Sequence, residues 1–257
     1  ATATADITAA LLTVTAQTNT KTYDANTSAA AIPTITSGTL FGTDDTANFS
    51  ETNDTQNAGT GKTLTASGAV NDGNSGNNYG YTFIPDTTGI IIPASLTITG
   101  AAAQNKIYDS TTTATLSNNG SLNGLIGETL ILNAPAGVSF SDKNAATGKT
   151  VTASGYTISD GSGLASNYQL TSNSATATAD ITAALLTVTA QTNTKTYDGN
   201  TGAAAIPTIT SGALFDADTA NFSEIYDTQN AGIGKILTAS GIVNDGNSGN
   251  NYAYTFV

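Results

Sequence analysis

Apolar and polar residues alternate along most of this chain. In residues 12–16, Leu12, Val14 and Ala16 fall on one face, with Thr13 and Thr15 on the other. Residues 96–99 repeat the pattern with Leu96 and Ile98 against Thr97 and Thr99. Further on, Leu64, Ala66 and Gly68 oppose Thr63, Thr65 and Ser67, and Tyr79, Tyr81 and Phe83 share one side. A period of two with Thr and aromatic residues predicts half-buried antiparallel strands. No segment carries helical spacing with caps, and Gly and Asn clusters punctuate the strands.

The strands belong to repeats. Residues 1–10, ATATADITAA, recur letter for letter as residues 175–184, and residues 11–24 recur letter for letter as 185–198. One residue is lost near Asp44 and Asp45, so that Thr46 corresponds to Thr219 and Phe83 to Phe256. A weaker repeat lies within this unit. Its opening strand covers residues 12–15, 96–99 and 186–189. A Lys-x-Tyr-Asp turn follows at Tyr23-Asp24, Tyr108-Asp109 and Tyr197-Asp198. Gly-Lys-x-x-Thr-Ala-Ser-Gly comes next, at residues 61–68, 148–155 and 234–241, and then Asn-Tyr at Asn78-Tyr79, Asn167-Tyr168 and Asn251-Tyr252. Tandem self-similarity of this kind marks an array.

These marks place β-sandwich repeats at residues 11–93, 94–184 and 185–257, with residues 1–10 as the closing strand of a preceding repeat. Each has about seven strands, so the expected architecture is all-β: tandem immunoglobulin-like β-sandwich domains forming an extended rod. No Gly/Ser linker separates them, and hinge freedom should be small. The repeat at 185–257 lacks a counterpart of residues 87–92, so an open sheet edge is expected there. Strand donation by a neighbouring chain would fill it. The plainer alternative is that the sequence is a window from a longer chain. The absence of Met fits that alternative, and any export signal or anchor is then expected outside the window.

Composition narrows the functions. There is no Cys, Met, Trp, His or Arg. A His base, a thiol nucleophile and an Arg clamp are therefore missing, and an enzyme is not expected. The formal charge of −12 opposes nucleic-acid binding and anionic membrane surfaces. No apolar run approaches the ~20 residues of a membrane helix.

Candidate chemistry is sparse. The loops at residues 71–78 and 244–251 are rich in oxygen ligands and glycine. Calcium takes six to eight oxygens on a sharply turning loop. The candidate ligands are Asp72, Asn74 and Asn77, with Asp245, Asn247 and Asn250 in the other copy. No downstream Glu closes either loop in the EF-hand manner, and an ordinary Asn/Gly turn accounts for the same residues. No other cofactor is expected. The tyrosines of the Tyr-Asp pairs are expected to bury their rings with hydroxyls hydrogen-bonded, while the Asp ties the turn. Lys62, Lys149 and Lys235 are expected to pair with surface carboxylates, a commoner role than an intramolecular isopeptide bond. The Thr-x-Thr runs suit a solvent-facing strand rather than an ice-binding face.

The Lys-x-Tyr-Asp turn followed by Thr27, Thr111 or Thr201 resembles the signature of bacterial YDG-type repeats. These occur with MBG-type repeats in filamentous-haemagglutinin-like surface adhesins. The middle repeat is the nearest match, from Asn105-Lys106-Ile107-Tyr108-Asp109 through Asp142-Lys143-Asn144 and Asn167-Tyr168 to Ala179-Asp180-Ile181. The glycine that names the motif stands only at Gly199, with Ala25 and Ser110 elsewhere, so a positive φ is not expected in every copy. The resemblance implies an extracellular or cell-surface β stalk or fibre of a large bacterial adhesin. Its expected partners are neighbouring repeats of the same chain. Two further readings carry other partners: a module binding surface glycans or mucin, and a subunit joined head to tail to other copies by strand exchange.

Overall fold

The computed structural model describes residues 1–257. The chain is all-β, its one helical element being a 3₁₀ turn at Ala165–Asn167. No helix is long and apolar enough to cross a membrane. The chain forms two compact units. One comprises residues 1–97, 122–133 and 157–172, and the other residues 98–121, 134–156 and 173–257. The middle repeat therefore contributes to both.

The first unit opens with β1 (Ala10–Thr15), β2 (Thr20–Thr22), β3 (Thr34–Ser37), β4 (Thr46–Asn53), β5 (Gly59–Asn71), β6 (Tyr79–Ile84), β7 (Asp86–Ile92) and the start of β8 (Ala94–Thr99). Two sheets form, in the orders β3-β1-β6 and β2-β7-β5-β4. Their facing sides carry the alternating apolar positions. Leu12 and Val14 on β1 and Tyr79 on β6 meet Phe49 on β4 and Leu64, Ala66 and Val70 on β5. Phe49 stands edge-on to Tyr81 and Phe83, which stack on each other. The alternation thus reports faces correctly, but not direction. β1 pairs with β6 in parallel, and β2 with β7 in parallel, where antiparallel pairing was expected. Period two is the same in both arrangements. The glycine of the Gly-Lys motif has a clear task. Gly61 (φ 67°) and Gly148 (φ 61°) sit where the ladder register shifts, an irregularity that needs left-handed backbone.

The core of the first unit continues past β7. Only Pro93 separates β7 from β8. β8 pairs in parallel with Tyr168–Leu170 and lies between that strand and Ser121–Asn123. Tyr23 and Ile91 from one repeat, and Ala94, Leu96 and Tyr168 from the next, share one buried cluster. The boundary read from sequence at residues 93 and 94 is thus a packed interior.

The second unit repeats this plan. Its four-stranded sheet runs Lys106–Ile107, Ser174–Thr182, Ala146–Ser154, Gly137–Phe140. Its three-stranded sheet runs Thr208–Ser211, Ala184–Thr189, Tyr252–Phe256. Tyr108, Val151 and Ile181 join Leu186, Val188 and Tyr252 in a single core. In the repeat at 185–257 the second sheet holds just Thr219–Tyr226 and Leu237–Asn244. The counterpart of β2, residues 194–196, forms no strand there.

Leu96 is fully buried between the two repeats of the first unit. Leu96→Ala is expected to cost about 2–5 kcal/mol, the range for a buried leucine that leaves a cavity. Urea unfolding of the purified variant measures it.

Candidate tyrosine joint

A constellation of buried polar chemistry that joins one repeat to the next is built twice, from the Tyr-Asp turn of one repeat and the Asn-Tyr strand of the next. Pairing of β2 with β7 brings Tyr23 into place, its N–H donating to Ile92 O at 2.8 Å. Lys21 Nζ closes the turn on Asp24 at 2.6 Å and also reaches the carbonyls of Asn26 and Ser28. Burial opposes the charge of Asp24, but the Lys21 ammonium outweighs it and holds the carboxyl below its usual range. The Tyr23 ring then meets Tyr168 edge-on, with centroids 5.3 Å apart. Both hydroxyls donate to the same oxygen, Glu128 Oε1, at 2.6 and 2.7 Å. Tyr168 in turn accepts the Ile126 N–H. Beside it, Asn167 Oδ1 accepts the Ala58 N–H at 2.8 Å and Asn167 Nδ2 donates to Asn57 Oδ1. Asn-Tyr therefore clamps the preceding repeat with both of its side chains.

The second unit builds the same joint. Tyr108 N–H donates to Thr182 O, and Lys106 Nζ pairs with Asp109 at 2.6 Å. Tyr108 and Tyr252 stand edge-on at 5.4 Å and share Asp218 Oδ2 at 2.9 and 2.8 Å. Asn251 Oδ1 accepts the Ala145 N–H, and Asn251 Nδ2 donates to Asn144 Oδ1. Burial first, and the carboxylate second, push the Tyr23 hydroxyl up to about 12. The same causes raise Tyr108 further.

The two outermost copies are half-joints. Tyr79 donates to Asp45 Oδ2 and accepts the Phe41 N–H, with no second tyrosine on the carboxylate. Its neighbour Asn78 is exposed, whereas Asn167 and Asn251 are buried. At the other end Tyr197 is 62% exposed, although its turn is made as before by Lys195 and Asp198 at 2.8 Å.

The six residues singled out for calcium lie in the loops that deliver Asn-Tyr. Asp72 Oδ1 accepts the N–H groups of Asn74 and Gly76, and its Oδ2 that of Asn78. Asp245 does the same for Asn247, Gly249 and Asn251. Partial burial works against both charges, and the backbone donors overcome it, so both carboxyls sit below their usual range. Asn74 and Asn247 donate to Asn78 and Asn251 side chains, while Asn77 and Asn250 donate to the Asn74 and Asn247 carbonyls. All six side chains thus hydrogen-bond within their own loops.

The sequence reading missed the carboxylates of the joint. Asp45, Glu128 and Asp218 share no motif with the tyrosines, but each directly precedes a threonine, Thr46, Thr129 or Thr219. That recurring acid-Thr pair was the available signal. A positive φ is present in all three turns, at Ala25 (62°), Ser110 (60°) and Gly199 (77°), contrary to the expectation drawn from the missing glycines. The closing grip of the lysine holds the left-handed residue even where a Cβ resists it. The expectation for the other lysines is met only by Lys149, which pairs with Asp142 at 2.5 Å. Lys62 and Lys235 donate to Thr55 and Thr228 instead, because a threonine stands seven residues before each of them where Asp142 stands before Lys149.

The profile of the YDG domain matches residues 8–88, 92–177 and 182–255. The chain belongs to the YDG domain family. No curated protein matches the chain. No solved structure matches it. In these YDG repeats, the tyrosine and aspartate of the signature divide the work: Asp sets the turn, and Tyr reaches out of its own repeat.

Ser110→Gly is expected to stabilise the protein by about 0.5–1 kcal/mol, the left-handed penalty of an L residue less the entropy glycine adds to the unfolded chain. Thermal melts compare the two. A second expectation follows from Tyr23. Below pH 10.0 the phenol is neutral in both states, and its contribution is complete. As pH rises from 10.0 towards about 12 the unfolded chain ionises first, so stability drains away across that window. Urea midpoints on either side of pH 10.0 should fall in the wild type, and less steeply in Tyr23→Phe.

Proposed function

We propose that this chain is a structural stalk or fibre region of a large bacterial cell-surface or extracellular adhesin. The observation that carries the reading is the joint. Two successive repeats share one apolar core, one tyrosine pair and one carboxylate, and the same arrangement is built twice. Such neighbour-to-neighbour burial suits a load-bearing array, in which each repeat is stabilised chiefly by the next. The buried tyrosines, asparagines and acids of the joints bond to one another across repeats, which supports a mechanical role. The acidic surface supports a self-repelling, solvated polymer.

Stretching single chains between their ends is expected to give discrete unfolding events. Tyr108→Phe should lower the force of the events in which its joint breaks, since that change removes a hydrogen bond to a carboxylate. A glycan array probed with the same protein is expected to stay blank. Reproducible glycan binding that disappears in Asn74→Ala or Asn247→Ala would overturn the stalk reading in favour of a binding module.

A further inference from the structure

We propose that Glu51, buried in the first repeat, is a proton-sensitive clasp: neutral, it holds the crossover from β1 to β2 against β4, and on losing its proton it lets that crossover open to water. Nothing in this depends on the stalk reading.

The acid stands at a core position. Glu51 lies opposite Ala66, and Glu224 opposite Ala239, in the Thr-Ala-Ser-Gly run of each repeat. In the middle repeat the same place, opposite Ala153, is taken by Val138, which packs on the core. Phe49 and Asn53, the next residues on the same face of β4, are buried on either side of Glu51. Glu51 is 2% exposed and Glu224 1%. In each, Oε2 accepts one backbone N–H, from Gln17 at 2.8 Å or Gln191 at 2.7 Å, and Oε1 has no partner. A buried carboxylate with a free oxygen and no cation is costly, and taking up a proton removes the charge that makes it so.

In the middle repeat, the run before the Lys-x-Tyr-Asp turn is held by a short ladder of Ala102–Ala103 on Leu116–Asn118. The corresponding residues 16–19 form no strand. Ala16 N–H donates to Ile84 O and Ile90 N–H to Asn19 O, and between these two contacts Gln17 N–H donates to Glu51. A side chain here does the work of a strand. The crossover runs straight into Lys21 and Tyr23, so its opening loosens the segment that delivers the joint tyrosine.

The charges around Glu51 favour the neutral form. Asp86, at the start of β7, is the charged group that acts on it. The lysines of the neighbouring strands are engaged elsewhere: Lys21 Nζ with Asp24, Asn26 and Ser28, and Lys62 Nζ with Thr55. Burial pushes the Glu51 carboxyl up, the Gln17 N–H pulls it back, and Asp86 adds to the rise, which leaves it above its ordinary value of 4.5. Below pH 4.5 the acid is neutral in the folded and the unfolded chain, and the clasp is complete. As pH rises past 4.5 the unfolded chain ionises first, so the stability this group contributes drains away.

Urea midpoints of the whole chain, taken from pH 4.5 to neutrality, test this on Glu51→Gln. Should that variant fold poorly, Glu51→Val takes its place, since it installs the residue of the middle repeat. Relative to wild type, the midpoint of either variant is expected to shift upward as pH climbs. Taking the difference cancels the opposite response of Asp24, Asp72 and Asp245, whose carboxyls lie low. Over the same range the Gln17 amide, corrected for its intrinsic exchange rate, should lose protection in wild type and keep it in Glu51→Gln. A difference in midpoint that stays flat, or that widens in favour of wild type, would overturn the proposal, because the acid would then titrate alike in both states or ionise more readily in the fold. Equal protection of Gln17 in both proteins would overturn the opening of the crossover. A midpoint that calcium chloride raises in wild type but not in the variant would also overturn the clasp, by giving the free oxygen to a cation.

Discussion

One carboxylate oxygen receiving two tyrosine hydroxyls is the interaction on which the rest of the structure depends. A half-buried acid between stacked repeats needs donors, and this chain has no arginine or histidine to offer. Two phenols supply them, each donating one short bond to Glu128 or to Asp218. Hydrogen bonds to a charged acceptor are worth about 1.5–3 kcal/mol each, more than neutral ones, because the alternative is an unpaired charge out of water. The rings meanwhile cross edge to face, which adds about 0.5–1.5 kcal/mol beyond burial. The tyrosine thus bonds polar and apolar layers at one point.

That point fixes much else. Tyr23 reaches Glu128 because the parallel pairing of β2 with β7 presents it at the end of β7, where Pro93 hands the chain to β8. Asp24, Lys21 and the left-handed residue after them exist to turn the chain away once the tyrosine is placed. On the receiving side, the loop capped by Asp245, or by Asp160 in the middle repeat, aims Asn-Tyr back at the preceding repeat. The motifs that looked like separate signatures in the sequence are the two faces of one contact. Leu96 and Ile91 are packed by residues of both repeats for the same reason.

Strand faces were legible in the sequence because burial on one side of a sheet leaves a period of two. Leu12, Val14, Leu64, Ala66 and Tyr79 all lie where the alternation puts them. Strand direction was not legible, since parallel and antiparallel ladders share that period, and β1–β6 and β2–β7 proved parallel. The role of the Tyr-Asp tyrosine was half legible. Its ring and hydroxyl are buried and bonded, but to a partner about a hundred residues away, a distance at which no local pattern reports. Asp45, Glu128 and Asp218 escaped notice because isolated acids before threonine look like ordinary loop residues. The oxygen-rich loops drew attention for their ligand content. Their geometry turns on something the composition does not reveal, namely that a single aspartate caps three backbone amides.

Each YDG repeat carries a protruding tyrosine and a receiving tyrosine–acid pair, and the two are made from different segments of the same repeat. Any repeat can therefore follow any other without a new interface having to evolve. Recombination that inserts or removes a whole repeat leaves every remaining contact complementary. The identical stretches at 1–24 and 175–198 fit such an event. Length becomes a quantity that a lineage can change in steps of one repeat, with folding left undisturbed.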